Sequence, residues 1–259
     1  MLKRGTFILA LVAAAVFAAG AVHATTIVVN PGGSWVSGGN SGGGSSAITG
    51  TEGDDHGGLG SLEMYGDRTR FEYIPVGGLG LLSDLDSLSF EWQVAGDSVS
   101  ALHVDYTPAV RLLIADPLAG GGYDLSELIW EGAYNGYYGS YTHGDWILTD
   151  VIGDSETLWQ WNSGVTLLPG GAQANLTPAA WSGSAYISSD AIIYGVSFGV
   201  GSSVGAAYHA FGDYLTIGFN GQSTTYDFEP LAAVPEPATL SLIGIGLGAL
   251  ALRRKLSRG

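Results

Sequence analysis

Apolar side chains recur at every second position over much of this chain, and this period of two constrains the fold most. The clearest case is Leu88 to Val94, where large apolar residues alternate with Ser89, Glu91 and Gln93. Successive side chains of a strand point to opposite faces, so this pattern predicts a half-buried β-strand. Alternation or short apolar runs predict further strands at 26–29, 61–65, 69–74, 110–115, 128–132, 146–149, 157–161, 192–200, 215–219 and 224–228.

Turn signals separate these segments, and Asn220-Gly221 is the strongest hairpin signal among them. A short helical turn is compatible with residues 124–134, but no long amphipathic helix is predicted between the two ends of the chain. Many short strands with few helices predict an all-β fold, an antiparallel β-sandwich of jelly-roll type.

Residues 30–60 are dominated by glycine and serine. They lack the apolar side chains that would compensate for the entropy of ordering the chain. We therefore expect residues 25–60 to form a mobile arm or long surface loop, with a first strand at 26–29. Residues 61–230 then form one sandwich domain.

The charge of the region between residues 25 and 230 is one-sided. Only three of the nine basic residues lie there, Arg68, Arg70 and Arg111, whereas only one of the 24 acidic residues, Glu236, lies outside it. Such a polyanion should repel nucleic acid, and also acidic polysaccharide unless divalent cations mediate the contact. The chain has no cysteine, which excludes disulfides and thiol chemistry.

Residues 1–24 have the pattern of a secretory signal peptide. Lys3 and Arg4 precede an apolar stretch at 7–19, and small residues lead to a predicted cleavage after Ala24. This pattern predicts export through the Sec translocon and removal of the segment by signal peptidase.

The other end, residues 231–259, combines three features in order. Val234-Pro235-Glu236-Pro237 is followed by an apolar segment at 238–252 and by a basic end at 253–258 that begins with Arg253, Arg254 and Lys255. The prolines favour an extended segment, and the mostly apolar run of fifteen residues predicts a short transmembrane helix. A plain C-terminal anchor is the alternative to a sorting signal.

In these residues the chain resembles the PEP-CTERM family of exported bacterial proteins. The resemblance implies a diderm bacterium with an exosortase, a membrane enzyme that recognises the tail. It implies a transient inner-membrane intermediate, delivery to the cell surface or extracellular matrix, and an exopolysaccharide or biofilm setting.

A second resemblance covers the sandwich itself. Residues 60–67, 211–219 and 224–229, with the aromatic-rich middle, look like a concanavalin-like or carbohydrate-binding sandwich. The resemblance implies a structural calcium ion held by Glu63 and Asp213, and Asp54 and Asp55 are further candidate ligands. The alternative is that these carboxylates are solvated surface groups.

Sugar-binding sandwiches stack exposed aromatic rings on sugar faces. The densest aromatic group is a predicted glycan-binding loop containing Tyr134, Tyr137, Tyr138, Tyr141 and Trp146. Trp130, and Trp159 with Trp161 on a shared strand face, are instead expected to pack in the core.

No catalytic residue is predicted. The sequence contains neither Gly-x-Ser-x-Gly nor HExxH, and no local pair of carboxylates suits glycoside hydrolysis. We expect an exported, non-catalytic surface or matrix protein that associates with exopolysaccharide. The alternatives are a purely structural acidic matrix protein without a defined ligand and a polysaccharide-acting enzyme.

Overall fold

The computed structural model describes residues 23–53, 56–162 and 174–231. The predictions for residues 1–22, for Asp54 and Asp55, and for the C-terminal segment from 232 onward lie outside the described residues. The described part of the chain holds no helix that is long and apolar enough to cross a membrane.

The regular structure of the described residues consists of fifteen strands, one four-residue α-helix and two 3-10 turns, at Leu82–Asp84 and Gly132–Tyr134. The strands and the α-helix are β1 (His23–Val29), β2 (Val36–Ser37), β3 (Ser45–Thr49), β4 (Ser61–Tyr65), β5 (Arg70–Tyr73), β6 (Gly80–Leu81), β7 (Leu85–Val94), β8 (Ala109–Pro117), β9 (Tyr123–Glu131), β10 (Ile147–Asp150), β11 (Leu158–Trp161), β12 (Asn175–Leu176), α1 (Pro178–Trp181), β13 (Ile192–Gly199), β14 (His209–Phe219) and β15 (Gln222–Phe228).

The strands form two sheets. The first has the order β1-β15-β14-β4-β3, with β7 also paired to β14 and β10 to β7. The second has the order β12-β11-β9-β8-β13-β5-β2, with β6 on β13. All pairs between strands are antiparallel except β1 with β15, which is parallel. The all-β prediction is confirmed.

Aromatic side chains join the sheets across the core. Phe90 on β7 contacts Trp130 on β9, with ring centroids 4.9 Å apart, and Phe198 on β13 at 5.4 Å. All three side chains are fully buried, as expected for Trp130. Contacts of this kind between the inner faces of two sheets define a β-sandwich.

The Asn220-Gly221 hairpin is confirmed. β14 ends at Phe219 and β15 begins at Gln222, which leaves a two-residue loop. Both loop residues have positive φ angles, 53° and 76°, as the favoured type of two-residue hairpin turn requires.

The glycine-rich segment differs from the expected arm, because it contains β2 and β3. Trp35 explains why it is ordered: its side chain is 2% exposed and packs against Phe71, Tyr226 and Phe228. One buried tryptophan supplies the apolar area that the composition lacks.

Candidate functional site

The outer face of the second sheet carries an unusual group of charged and aromatic side chains. On β5, β8, β9 and β11 one set of alternating residues faces the core and the other set lies on the outer face, and β13 lies between β5 and β8. The inward set is Phe71, Leu112, Leu128 and Leu158; the outward set is Arg70, Arg111, Glu127, Glu131, Trp159 and Trp161.

These side chains line a cavity of about 150 Å³, which we call the arginine pocket. Arg68 and Tyr106 complete its wall together with Gly201. A side chain at Gly201 would be too close to Tyr106, since a Cβ atom there would lie 2.2 Å from the tyrosine hydroxyl. All three arginines of the region between residues 25 and 230 therefore meet in one small cavity.

Glu127 is the centre of the charge network. Its Oε1 lies 2.5 Å from Arg70 Nη1, and its Oε2 lies 3.7 Å from Arg111 Nε. The second distance allows attraction between the charges but exceeds that of a hydrogen bond. Glu127 thus partly neutralises two arginines and is held between them.

Arg111 is buried without satisfying its donors. Its side chain is 3% exposed, and within the described part of the chain neither Nε nor Nη1 has a hydrogen-bond partner. Glu127 Oε2 is in the same condition. Buried polar groups are nearly always hydrogen-bonded, so unmatched donors and an unmatched acceptor facing one cavity call for an explanation.

Burial and the neighbouring charge of Arg70 lower the pKa of Arg111 to about 10. The guanidinium therefore stays charged at neutral pH. Burial raises the pKa of Glu131, although the charge of Arg111 and the polar groups of Trp159 and Tyr106 act in the opposite direction. A rise in this pKa means that the pocket favours the neutral form of the Glu131 carboxyl more than water does.

Arg68 stands at the rim with its charge uncompensated. Its φ angle is 47°, and its backbone N–H donates to the carbonyl oxygen of Gly201 at 3.1 Å. It makes no ion pair with any residue in 23–53, 56–162 or 174–231. The guanidinium is partly exposed and is available to a ligand.

The expectation that Trp159 and Trp161 pack in the core is wrong. Leu158 and Gln160 face inward and are buried, so both tryptophans lie on the outer face, and Trp161 is 37% exposed. The Trp159 indole nitrogen is buried and has no hydrogen bond of normal geometry to any described residue, although it is close enough to Glu131 to lower the pKa of that residue.

The predicted glycan-binding loop lies at an end of the core. Tyr137 and Tyr141 contact the buried ring of Trp92 edge to face, at 5.6 and 4.9 Å. Trp146 donates its indole N–H to the carbonyl oxygen of Gly53 at 3.0 Å. These three rings are committed to packing or to a loop contact, which does not favour stacking on a sugar.

Of the other two tyrosines of that loop, Tyr134 is exposed and Tyr138 is half-buried. Tyr138 stacks on His103 with centroids 4.2 Å apart, and Tyr134 is 43% exposed beside Trp159. Sugar binding by this loop stays a prediction, and Tyr134 is the member that lies nearest to the tryptophans of the arginine pocket.

The predicted calcium ligands Glu63 and Asp213 lie on neighbouring strands of the first sheet, β4 and β14. Glu63 Oε1 is 2.9 Å from His209 Nε2, and His209 Nδ1 is 2.8 Å from Asp97. Asp213 is fully buried and accepts a hydrogen bond from the backbone N–H of Phe228 at 2.8 Å.

The described residues contain no group of three or more side chains placed to hold a metal ion. Both Glu63 and Asp213 already interact with protein groups, and Asp54 and Asp55 lie outside the described residues. Calcium binding stays a prediction.

Sequence reasoning missed the arginine pocket, although two signals for it were present. The only cations of the region are Arg68, Arg70 and Arg111, and Glu127 and Glu131 are spaced by four on one strand. Residues spaced by two or four share a strand face. What the sequence did not show is that three distant segments place these faces side by side.

The C-terminal segment indicates an exported protein. Residues 233–255 match the family model of the PEP-CTERM protein-sorting motif, as the tail predicted. The motif indicates a protein that is sorted by an exosortase to the cell surface. No curated protein and no solved structure matches the chain.

Proposed function

We propose that this chain is a non-catalytic surface or matrix protein that binds exopolysaccharide through the arginine pocket. The single observation that carries the proposal is the buried Arg111, whose unmatched donors face a cavity flanked by the partly exposed ring of Trp161. A sugar supplies hydrogen-bond acceptors for Arg111 and an apolar face for Trp161. Its oxygens accept hydrogen bonds from the guanidinium, and its apolar face stacks on the indole.

The size of the cavity supports binding of a single sugar unit. Pockets for drug-sized ligands occupy roughly 300–1,000 Å³. The arginine pocket, at about 150 Å³, is smaller. It suits one sugar residue or one substituent of a polysaccharide, with the rest of the polymer outside.

A purely structural role explains the pocket less well. Leaving a buried donor unsatisfied costs about 1–3 kcal/mol, and more for a charged group. A protein whose only task is to fill a matrix gains nothing from Arg111 at this position, whereas a binding protein recovers the cost when the ligand arrives.

A glycan array that includes the producing strain's own exopolysaccharide tests the proposal. The full-length chain, purified in mild detergent, should bind selected glycans with calcium or with a chelator. Binding that disappears with the chelator would support the calcium prediction as well. Absence of binding in both conditions would leave the purely structural role.

A polysaccharide-acting enzyme is the second candidate, because Glu127 and Glu131 share the outer face of β9 and the pKa of Glu131 is raised. A proton donor with a raised pKa opposite an ionised carboxylate is the arrangement of many glycosidases. Against it, Glu127 is held by two arginines. Release of new reducing ends from a bound glycan, abolished in Glu131→Gln, would establish the enzyme.

The surface destination has its own test. Substituting Glu236 by Ala in the sorting motif should leave an unprocessed chain in the inner-membrane fraction. A chain with the same change at Glu229, outside the matched motif, should be processed normally. Equal processing of both chains would contradict sorting through this motif.

A further inference from the structure

We propose that the arginine pocket selects an acidic sugar, a residue that carries a carboxylate beside its hydroxyl groups. This inference rests on the proposed function and adds to it the chemical class of the ligand. It reverses the expectation from net charge, under which a polyanionic protein should avoid acidic polysaccharide.

The first argument is the placement of charge. The region between residues 25 and 230 has no lysine and three arginines, and all three arginines line the same cavity. Arginines used only for solubility or for scattered ion pairs would be spread over the surface. Arginine is also the side chain best shaped to bind a carboxylate through two parallel hydrogen bonds.

The second argument is the balance of charge inside the cavity. Glu127 is shared by Arg70 and Arg111, and Arg70 also lies 3.8 Å from Glu72, while Arg68 has no ion pair in the described part of the chain. Burial raises the pKa of Glu131 and so favours its neutral form. Arg68 therefore has no carboxylate of the described residues within ion-pair distance, and a ligand carboxylate supplies one.

The third argument distinguishes a sugar acid from a simple anion. Arg111 Nη1 needs a hydrogen-bond acceptor, but Glu127 Oε2 needs a donor. A bare inorganic anion offers acceptors only and would repel Glu127. A ligand with a carboxylate and neighbouring hydroxyl groups satisfies both, and Trp161 offers a surface for its ring.

Calorimetry on the full-length protein with two matched trisaccharides tests the inference. One is an oligomer of galacturonic acid, and the other is the same oligomer with its carboxyl groups reduced to alcohols. Oligomers of glucuronic and mannuronic acid serve as further acidic probes, and acetate as a plain carboxylate. A chelator in every sample removes bridging by divalent cations.

We expect at least one acidic trisaccharide to bind about tenfold more tightly than its reduced form, as befits one charge-assisted contact. Arg68→Gln should weaken acidic binding about tenfold and leave reduced-sugar binding unchanged, whereas Arg68→Lys should restore part of it. Leu118→Asp, at an exposed position, changes the net charge equally and should have little effect. Acetate should not displace the sugar.

Different results would overturn the selection of acidic sugars and the proposed binding of glycans. Equal or tighter binding of the reduced sugars would overturn the selection of acidic sugars and leave glycan binding intact. Displacement by acetate would show a plain anion site. Acidic binding unaffected by both Arg68→Gln and Arg111→Lys, with melting curves showing folded variants, would place the ligand elsewhere. No binding of any glycan would overturn the proposed function itself.

Discussion

Arg111 Nε lies 3.7 Å from Glu127 Oε2, and among the described residues neither atom has a hydrogen bond. The two groups attract each other across a gap that is too long for direct bonding. The pair is therefore stabilised by charge, while among the described residues two nitrogen atoms of Arg111 and one oxygen atom of Glu127 have no hydrogen bond, which is the condition of a site that is ready for a ligand.

This relationship predicts unequal effects on stability. Glu127→Gln removes the charge between two arginines and should lower the free energy of unfolding by about 3 kcal/mol, as for other broken buried pairs. Arg111→Met replaces a buried charge by an apolar chain and leaves Glu127 paired with Arg70, so its cost should be below about 1 kcal/mol. Urea unfolding measures the free energy of unfolding of both variants. The prediction is wrong if Arg111→Met lowers it as much as Glu127→Gln does.

Removal of the exposed indole tests the sugar-binding face. Trp161→Ala should weaken glycan binding about tenfold, since stacking contacts contribute on the order of 1 kcal/mol. Its melting temperature should change little, because the ring is 37% exposed. Tyr123→Ala is the matched control, as that ring is 56% exposed on β9. Equal binding by the two variants would contradict the assignment of Trp161.

The raised pKa of Glu131 predicts how stability depends on pH. The ordinary value is 4.5, and burial makes the folded chain hold this proton to higher pH. The unfolded chain therefore binds fewer protons, and stability falls as pH rises from the unfolded pKa through the folded pKa.

Glu131→Gln replaces the carboxyl group by a neutral amide. It should therefore remove the loss of stability that ionisation of Glu131 causes as pH rises. Relative to the unmodified chain, the variant should gain stability as pH rises above 4.5, and the gain should level off once pH exceeds the raised pKa of Glu131. Denaturant unfolding across this range measures the difference. A difference that stays flat with pH would mean that the pKa of Glu131 is not raised.

Raising the ionic strength should speed, not slow, the association with an acidic polysaccharide. The acidic surface repels an acidic polysaccharide at long range, and salt screens this repulsion within about 8 Å at physiological strength. The contact with the buried Arg111 is screened much less. Raising salt from a low to a physiological level should therefore raise the association rate in surface plasmon resonance. A steep fall in this rate would indicate binding through a cationic surface instead.

Trp35 anchors the glycine-rich segment, and its removal should be costly. Trp35→Ala should lower the free energy of unfolding by about 3–5 kcal/mol, the usual cost of a truncated buried aromatic. The next residue is the control: Val36 is 57% exposed, so Val36→Ala should be nearly neutral. Similar unfolding curves for both variants would mean that the segment is the loose arm that its composition predicts.

Much of the sheet structure could be predicted because its signals are local. The strand at Ser61–Tyr65 has the predicted bounds, and the Asn220-Gly221 turn joins the strands it was expected to join. Alternation and turn chemistry act over a few residues, so they are readable in sequence.

The predictions from sequence that were wrong depend on contacts between distant segments. Trp35 is ordered by Tyr226 and Phe228, almost two hundred residues away, and no local pattern announces this. The alternation at 158–161 showed that Trp159 and Trp161 share a face but could not show which face is inside. Strand order decides that question, and the same order brings the three arginines together.

The parallel pairing of β1 with β15 has a mechanical consequence. β15 is held along one side by seven residue pairs with β1, five of which remain after the predicted cleavage following Ala24, and along the other by five pairs with β14. A pull on the C-terminal end, the end that carries the sorting motif, acts along β15 and loads both ladders in shear. Many hydrogen bonds then share the force at once, so the strand beside the sorted end resists being peeled away one bond at a time.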